Sequence, residues 1–388
     1  MTARAIGPAV LVCLGGAWAA THAGFDSRTV FVGAMALSTL AAALLWTRTP
    51  RLIALGFALA LAFGVHLFVG AVHERLRGER PFPRPEHPKA IRRPAIRAPA
   101  SDRPIRFVAW GDARGGASVF ERLRDAIASR RPDFSIGLGD LIGMARRYQF
   151  EILRDQLDET GVPGFTVPGN HDLDPFGSPG PYESVFGSGD WRLDVRDVAF
   201  IALDSAAGPA SDASTARFVA EVGSARTAGK RVIAFTHHPP WPPNGWPHKC
   251  QPQDHPNTKA IQTALQSAGA TTFSGDLHGY DRREIGRVTQ YVSGGAGSKL
   301  EIDGLHHYLW VEVGADGVRV EKVDLPSRHD TPEFADRWTT FRDEAAYVAR
   351  TEPSTCFAVL VAGALALGAL LRAAVGRRAR RETGRAEG

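Results

Sequence analysis

Cysteine, methionine and tyrosine are scarce in this chain, at three, three and six among 388 residues. Cys13 and Cys356 fall inside apolar stretches and Cys250 stands alone in the middle, so no disulfide framework can be built. Internal repeats are absent. A phosphate-binding P-loop is absent too, because Gly294, Gly295 and Gly297 do not sit in the strand, loop, Lys and Ser/Thr arrangement it requires. The formal net charge of +5 resides mainly in a linker and a tail, so no nucleic-acid partner is expected.

What the chain does possess is apolar length near its ends. Residues 6–20, 30–46, 52–72 and 356–375 each approach the ~20 residues needed to cross a bilayer. The first stretch is alternatively a signal peptide, since Ala17-Trp18-Ala19 before Ala20 fits a small-x-small cleavage site. Either way the tail with Arg377, Arg378, Arg380 and Arg381, and the short loop with Arg48 and Arg51, fall on the cytoplasmic side, which leaves the middle of the chain extracytoplasmic. The basic run from Arg75 to Arg97 pulls the other way, but it leads into a large domain and so counts for less. The expectation is an integral protein of the inner or plasma membrane, organised as an apolar region (1–73), a basic proline-rich linker (74–104), a central domain (105–326), a connector helix (327–352) and a C-terminal crossing with a basic tail (353–388).

In the central region short apolar runs alternate with helical patterns. Strands are predicted at 105–110, 134–138, 165–167, 198–203, 232–235 and 271–273, and helices at 118–129, 148–159, 213–226 and 257–267. This alternation predicts a layered α/β fold, in which ligands collect at the carboxyl ends of the strands. Five strands run into clusters of metal-ligand type: Gly111-Asp112, Gly139-Asp140, Gly169-Asn170-His171-Asp172, His237-His238-Pro239 and Gly275-Asp276-Leu277-His278. A single Gly-Asp at a strand end is usually only a turn. Five in series point to a metal centre, and carboxylates, an amide and imidazoles suit Mn, Fe, Zn or Mg.

With these motifs the region resembles the calcineurin-like metallophosphoesterases over roughly 105–325, most specifically in Gly169-Asn170-His171-Asp172. The strand and glycine turn at Tyr291-Val292-Ser293-Gly294-Gly295 is also similar. The resemblance implies an α/β two-sheet sandwich flanked by helices, holding one or two divalent or trivalent metal ions. It implies that Asp112 and His278 bind the first metal, that Asp140 bridges both, and that Asn170 and His237 bind the second. His171 would contact phosphate and protonate the leaving group, and Asp172 would orient its imidazole.

Two positions depart from the family pattern. Arg114 stands where a histidine ligand of the first metal is usual, and Asp276 where a histidine ligand of the second is usual. Purple acid phosphatases supply a tyrosine three residues after the bridging aspartate, and this chain has Gly143 there. A guanidinium cannot ligate a metal, whereas a carboxylate can replace imidazole. One cation and one anion have replaced two neutral groups, so the formal charge is unchanged.

Three readings follow. Arg114 binds the substrate phosphate bidentately, or Arg114 and Asp276 pair with each other, or the site is degenerate and the domain is a phosphate-ligand binding or membrane interaction module. The expected activity is hydrolysis of a phosphate mono- or diester by metal-activated water, on a phosphorylated small molecule or lipid. The loop Trp241-Pro242-Pro243-Asn244-Gly245-Trp246-Pro247-His248-Lys249 follows the His237 motif and is expected to overhang the site, with two tryptophans that either stack on a substrate or contact a lipid headgroup, or pack on the domain itself.

Overall fold

Two runs with almost no polar residue, Ile105–Trp110 (β1) and Phe134–Leu138 (β2), lie side by side in parallel and are buried almost throughout. In the computed structural model, residues 103–302, 304–325 and 333–351 of the chain are described. The four apolar stretches expected to cross a membrane lie outside the described residues, as do most of the linker and the tail. Among the described residues no helix is long and apolar enough to cross a membrane.

The remaining elements follow in chain order as α1 (Ala117–Arg130) before β2, then α2 (Arg147–Asp158), β3 (Gly164–Val167), α3 (Gly180–Phe186), β4 (Trp191–Val195), β5 (Val198–Ala202), α4 (Asp212–Thr227), β6 (Arg231–Phe235), α5 (Pro256–Ala268), β7 (Thr271–Ser274), β8 (Tyr280–Ile285), β9 (Val288–Ser293), β10 (His307–Gly314), β11 (Gly317–Asp324) and α6 (Glu333–Thr351). They form an α/β sandwich of two mixed sheets. One sheet has the order β11-β10-β1-β2-β3 and the other β4-β5-β6-β7-β9-β8. In the first, β1, β2 and β3 are parallel; in the second, β5, β6, β7 and β9 are parallel. The antiparallel strands lie toward the sheet edges, where one face and one backbone edge meet solvent.

Aromatic side chains glue the sheets together. Phe107 stacks on Phe134 at 4.9 Å between ring centres and meets Phe200, Phe235 and Phe273 edge-on at 5.8, 5.7 and 5.5 Å. These are favoured aromatic geometries. The outer face of the first sheet is covered by α1, α2 and α3 through Phe120, Leu123, Phe150, Leu153 and Tyr182, and that of the second by α4 and α5 through Phe218, Val222, Ile261 and Leu265.

Helix ends show why their boundaries fall where they do. Ser211 caps α4 by accepting from Ser214 N, and Pro256 opens α5, which closes on Gly269 in left-handed conformation. The N-terminus of α1 follows Gly116, which has no side chain to cap it. Asp336 of α6 supplies the missing carboxylate, accepting from Ser118 N at 3.0 Å and Ser118 Oγ at 2.5 Å. The first half of α6 is therefore docked beside the loop that carries Arg114. All described residues up to Glu344 lie in one compact unit.

Candidate metal centre

Parallel strands whose carboxyl ends share one rim of the sandwich bring the five clusters together. Asp112 follows β1, Asp140 follows β2, Asn170 and His171 follow β3, His237 follows β6 and Asp276 follows β7. The chain must turn sharply at each exit. Asp112, Asp140 and Asp276 have φ of 57°, 51° and 69°, the left-handed region that aspartate tolerates better than most residues. The preceding glycines are set by close approach. A Cβ on Gly139 would lie 2.5 Å from His237 Nδ1, and one on Gly275 would lie 2.7 Å from Asp112 Oδ2.

Asp140 is central. Its Oδ1 accepts from His171 N at 3.0 Å and lies 3.4 Å from His237 Nε2, while its Oδ2 accepts from Arg114 Nε at 3.1 Å. Burial pushes its carboxyl up, but His237, the His171 amide and imidazole, and Arg114 together hold it below the usual carboxylate range. Asp112 is fully buried, with Oδ2 accepting from Asp276 N at 3.0 Å. Burial first, then the charges of Asp140 and Asp276, raise its carboxyl well above the usual range.

The imidazoles share one arrangement. His237 Nδ1 is 2.9 Å from Leu138 O and His278 Nδ1 is 3.0 Å from Lys299 O, so each ring donates to a backbone carbonyl. Their Nε2 lone pairs then face anionic or amide oxygens: His237 Nε2 is 3.0 Å from Asn170 Oδ1, and His278 Nε2 is 3.5 Å from Asp112 Oδ1. Asp112 Oδ1 is buried and accepts no hydrogen bond among the described residues. A lone pair set against an oxygen, and a buried carboxylate oxygen without a donor, are unfavourable in themselves and fit a bound cation. Asp112, Asp140 and His237 offer ligand atoms within 4.8 Å of one another. The donor set thus fits a hard or borderline metal.

This geometry corrects one expectation and decides between the alternatives left open for two other features. Asp172 does not hold the His171 imidazole: its oxygens accept from Leu141 N (3.0 Å), Gly169 N (2.8 Å) and Ile142 N (3.4 Å). It ties the loop after β2 to the loop after β3 and so fixes the spacing between Asp140 and Asn170. Burial and the charge of Asp140 push its carboxyl up to about 8, against the pull of those backbone amides. The His171 ring instead lies with Nε2 4.0 Å from Asp140 Oδ2, half exposed, and burial lowers its basicity.

Arg114 and Asp276 do not pair. Arg114 is held by Asp140, and Asp276 has Lys249 as its cation, with Nζ 3.0 Å from its carbonyl oxygen and 4.0 Å from Oδ1. Trp241 follows the second of its two alternatives: it packs against the apolar cluster under α4 and α5, and its amide donates to Gln290. Lys249, also 3.1 Å from Glu301 Oε2, belongs to the loop expected over the site, but its pairing with Asp276 was not legible, because it depends on how the loop folds back over β7.

Residues 105–280 match the calcineurin-like phosphoesterase family. The structure is also similar to a dimetal phosphatase from Danio rerio, at 14% identity and a TM-score of 0.45, with 57% of this chain and 96% of that chain covered. A second similar structure is a purple acid phosphatase from yellow lupin seeds, at 15% identity and a TM-score of 0.46, with 57% of this chain and 51% of that chain covered. A third is the Plasmodium protein GAP50, described as the anchor in the inner membrane complex, at 13% identity and a TM-score of 0.43, with 62% of this chain and 95% of that chain covered. No curated protein matches the chain. The matched residues 105–280 include every site residue named above apart from the loop at 299–301.

Proposed function

We propose that this chain is a membrane-anchored phosphoesterase whose Arg114 binds the phosphoryl group beside a metal centre built on Asp140. The family match supports metal-dependent phosphoester hydrolysis in general, and the carrying observation for Arg114 is that, among the described residues, its side chain makes a single hydrogen bond. Only Nε is engaged, by Asp140, so both terminal nitrogens remain for two phosphoryl oxygens. That fork matches phosphate geometry.

Asp112, Asp140 and His278 would hold one ion, and Asp140, Asn170, His237 and Asp276 a second. Bound there, such ions lower the pKa of water and offset charge on phosphorus. The chain's own groups do the rest. Arg114 orients the phosphoryl group, and His171, on the open side of Asp140, contacts it and gives a proton to the departing alkoxide. Asp172 keeps the two loops in register. A degenerate binding module is the second reading, favoured by the guanidinium that occupies Asp140 Oδ2.

Full-length protein supplied with Mn²⁺ or Zn²⁺ is expected to hydrolyse an aryl phosphate or a bis-aryl phosphate. Arg114→Ala is expected to lower kcat/KM by about 10- to 100-fold, the worth of a charge-assisted contact. An unchanged kcat/KM would remove Arg114 from phosphate binding. Metal and phosphate binding with no turnover would establish the binding module instead.

Membrane attachment rests on the four apolar stretches and the distribution of arginines. Reporter fusions after Val72 and Val375 are expected to report an extracytoplasmic and a cytoplasmic position respectively. Tethering at both ends favours a phosphorylated lipid or another phosphorylated molecule at the membrane surface as substrate.

A further inference from the structure

His238 has no role in the phosphoesterase reading, on which the following rests, yet it stands in the centre. Its backbone N–H donates to Ser205 Oγ at 3.0 Å, and its Nδ1 lies 2.6 Å from Ser205 O. Ser205 Oγ is in turn 2.7 Å from Thr236 Oγ1. A ring nitrogen so close to a carbonyl oxygen must carry the proton, which leaves Nε2 with its lone pair. Ser205 therefore does for His238 what Leu138 O does for His237 and Lys299 O for His278.

The direction of that lone pair matters. His237, His238 and Asp276 each offer one ligand atom, and these atoms lie within 4.8 Å of one another. The two imidazoles are not stacked: their centres are 4.8 Å apart and their planes meet at 72°. Asp276 is clamped from both sides, its N–H on Asp112 Oδ2 and its carbonyl on Lys249 Nζ, so its carboxylate is held beside both rings.

We infer that His238 is a ligand of the second metal, supplying from the end of β6 the imidazole that is missing where Asp276 stands. The second subsite is then Asp140, Asn170, His237, His238 and Asp276, two nitrogens and three oxygens. The first subsite, with Arg114 seated on Asp140 Oδ2, is the weaker of the two. Two imidazoles and a carboxylate on one side of an ion form a donor set suited to Zn, Mn or Fe.

The test uses the purified full-length chain, stripped of metal and titrated with Zn²⁺ against a competing chelator. His238→Asn keeps an N–H for Ser205 O while removing Nε2, and is expected to weaken Zn²⁺ binding at the tighter site by at least about tenfold. Unchanged affinity in a folded His238→Asn protein would overturn the assignment. A second measurement covers the case of a variant that does not fold. Wild-type chain loaded with less than one equivalent of Mn²⁺ is expected to show two coordinated imidazole nitrogens by pulsed EPR, and a single one would overturn the assignment. Wild-type chain that takes up no metal at all would sink the phosphoesterase reading itself.

Discussion

Replacing Asp140 with asparagine is expected to lower phosphoester hydrolysis by about a thousandfold and to remove tightly bound metal, while leaving the fold intact. The side chain keeps its shape and loses its charge. Two donors rely on that charge: Arg114 Nε at 3.1 Å and the His171 amide at 3.0 Å. An asparagine amide turned toward Arg114 or toward the His171 N–H would oppose donor to donor, so at least one buried contact is lost in either orientation. Metal content by elemental analysis and turnover of an aryl phosphate check the expectation together. A variant that keeps its metal and a tenth of the wild-type rate would show that Asp140 does not bridge the centre.

Phe107→Ala is expected to cost about 3–5 kcal/mol of stability and to lower Tm by about 10 °C, the range for truncating a buried aromatic in a domain of this size. The ring touches Phe134 of its own sheet and Phe200, Phe235 and Phe273 of the other, so the lost volume opens between the sheets, where neither can collapse without moving a strand. Those strands end in the site: β1 leads to Asp112, β2 to Asp140, β6 to His237 and β7 to Asp276. A looser sandwich therefore also weakens metal binding. Thermal unfolding and Zn²⁺ titration of the same sample measure both effects. A Tm within about 2 °C of wild type would show that the aromatic cluster does not carry the packing assigned to it.

The parts of the fold that were legible share a physical trait. β1 and β2 coincide with the predicted runs at 105–110 and 134–138, because strands buried on both faces need unbroken apolar sequence. Helices α1, α2, α4 and α5 fall within a residue of their predicted bounds, where one apolar stripe packs on a sheet. Unpredicted β4, β8 and β11 lie at sheet edges and carry Arg, Asp, Glu and Lys on their open faces, so their segments such as Tyr280–Ile285 read as polar loop. In the site, the residue types and their position at strand ends were readable. Their pairings were not, since Arg114 and Asp140 are 26 residues apart and meet only because β1 and β2 are neighbours.

The sequence alone determined the layered α/β class and the chemistry of the ligands, because apolar period and residue type are local properties. It also marked Arg114 and Asp276 as the exceptions. Only the tertiary structure decided what those exceptions do: Arg114 leans on Asp140, Asp276 is fixed by Lys249 and faces His238, and Asp172 serves the backbone of two loops in place of His171. Contacts of a few ångströms between strands distant in sequence depend on sheet order and on left-handed turns at Asp112, Asp140 and Asp276, and no local pattern encodes those.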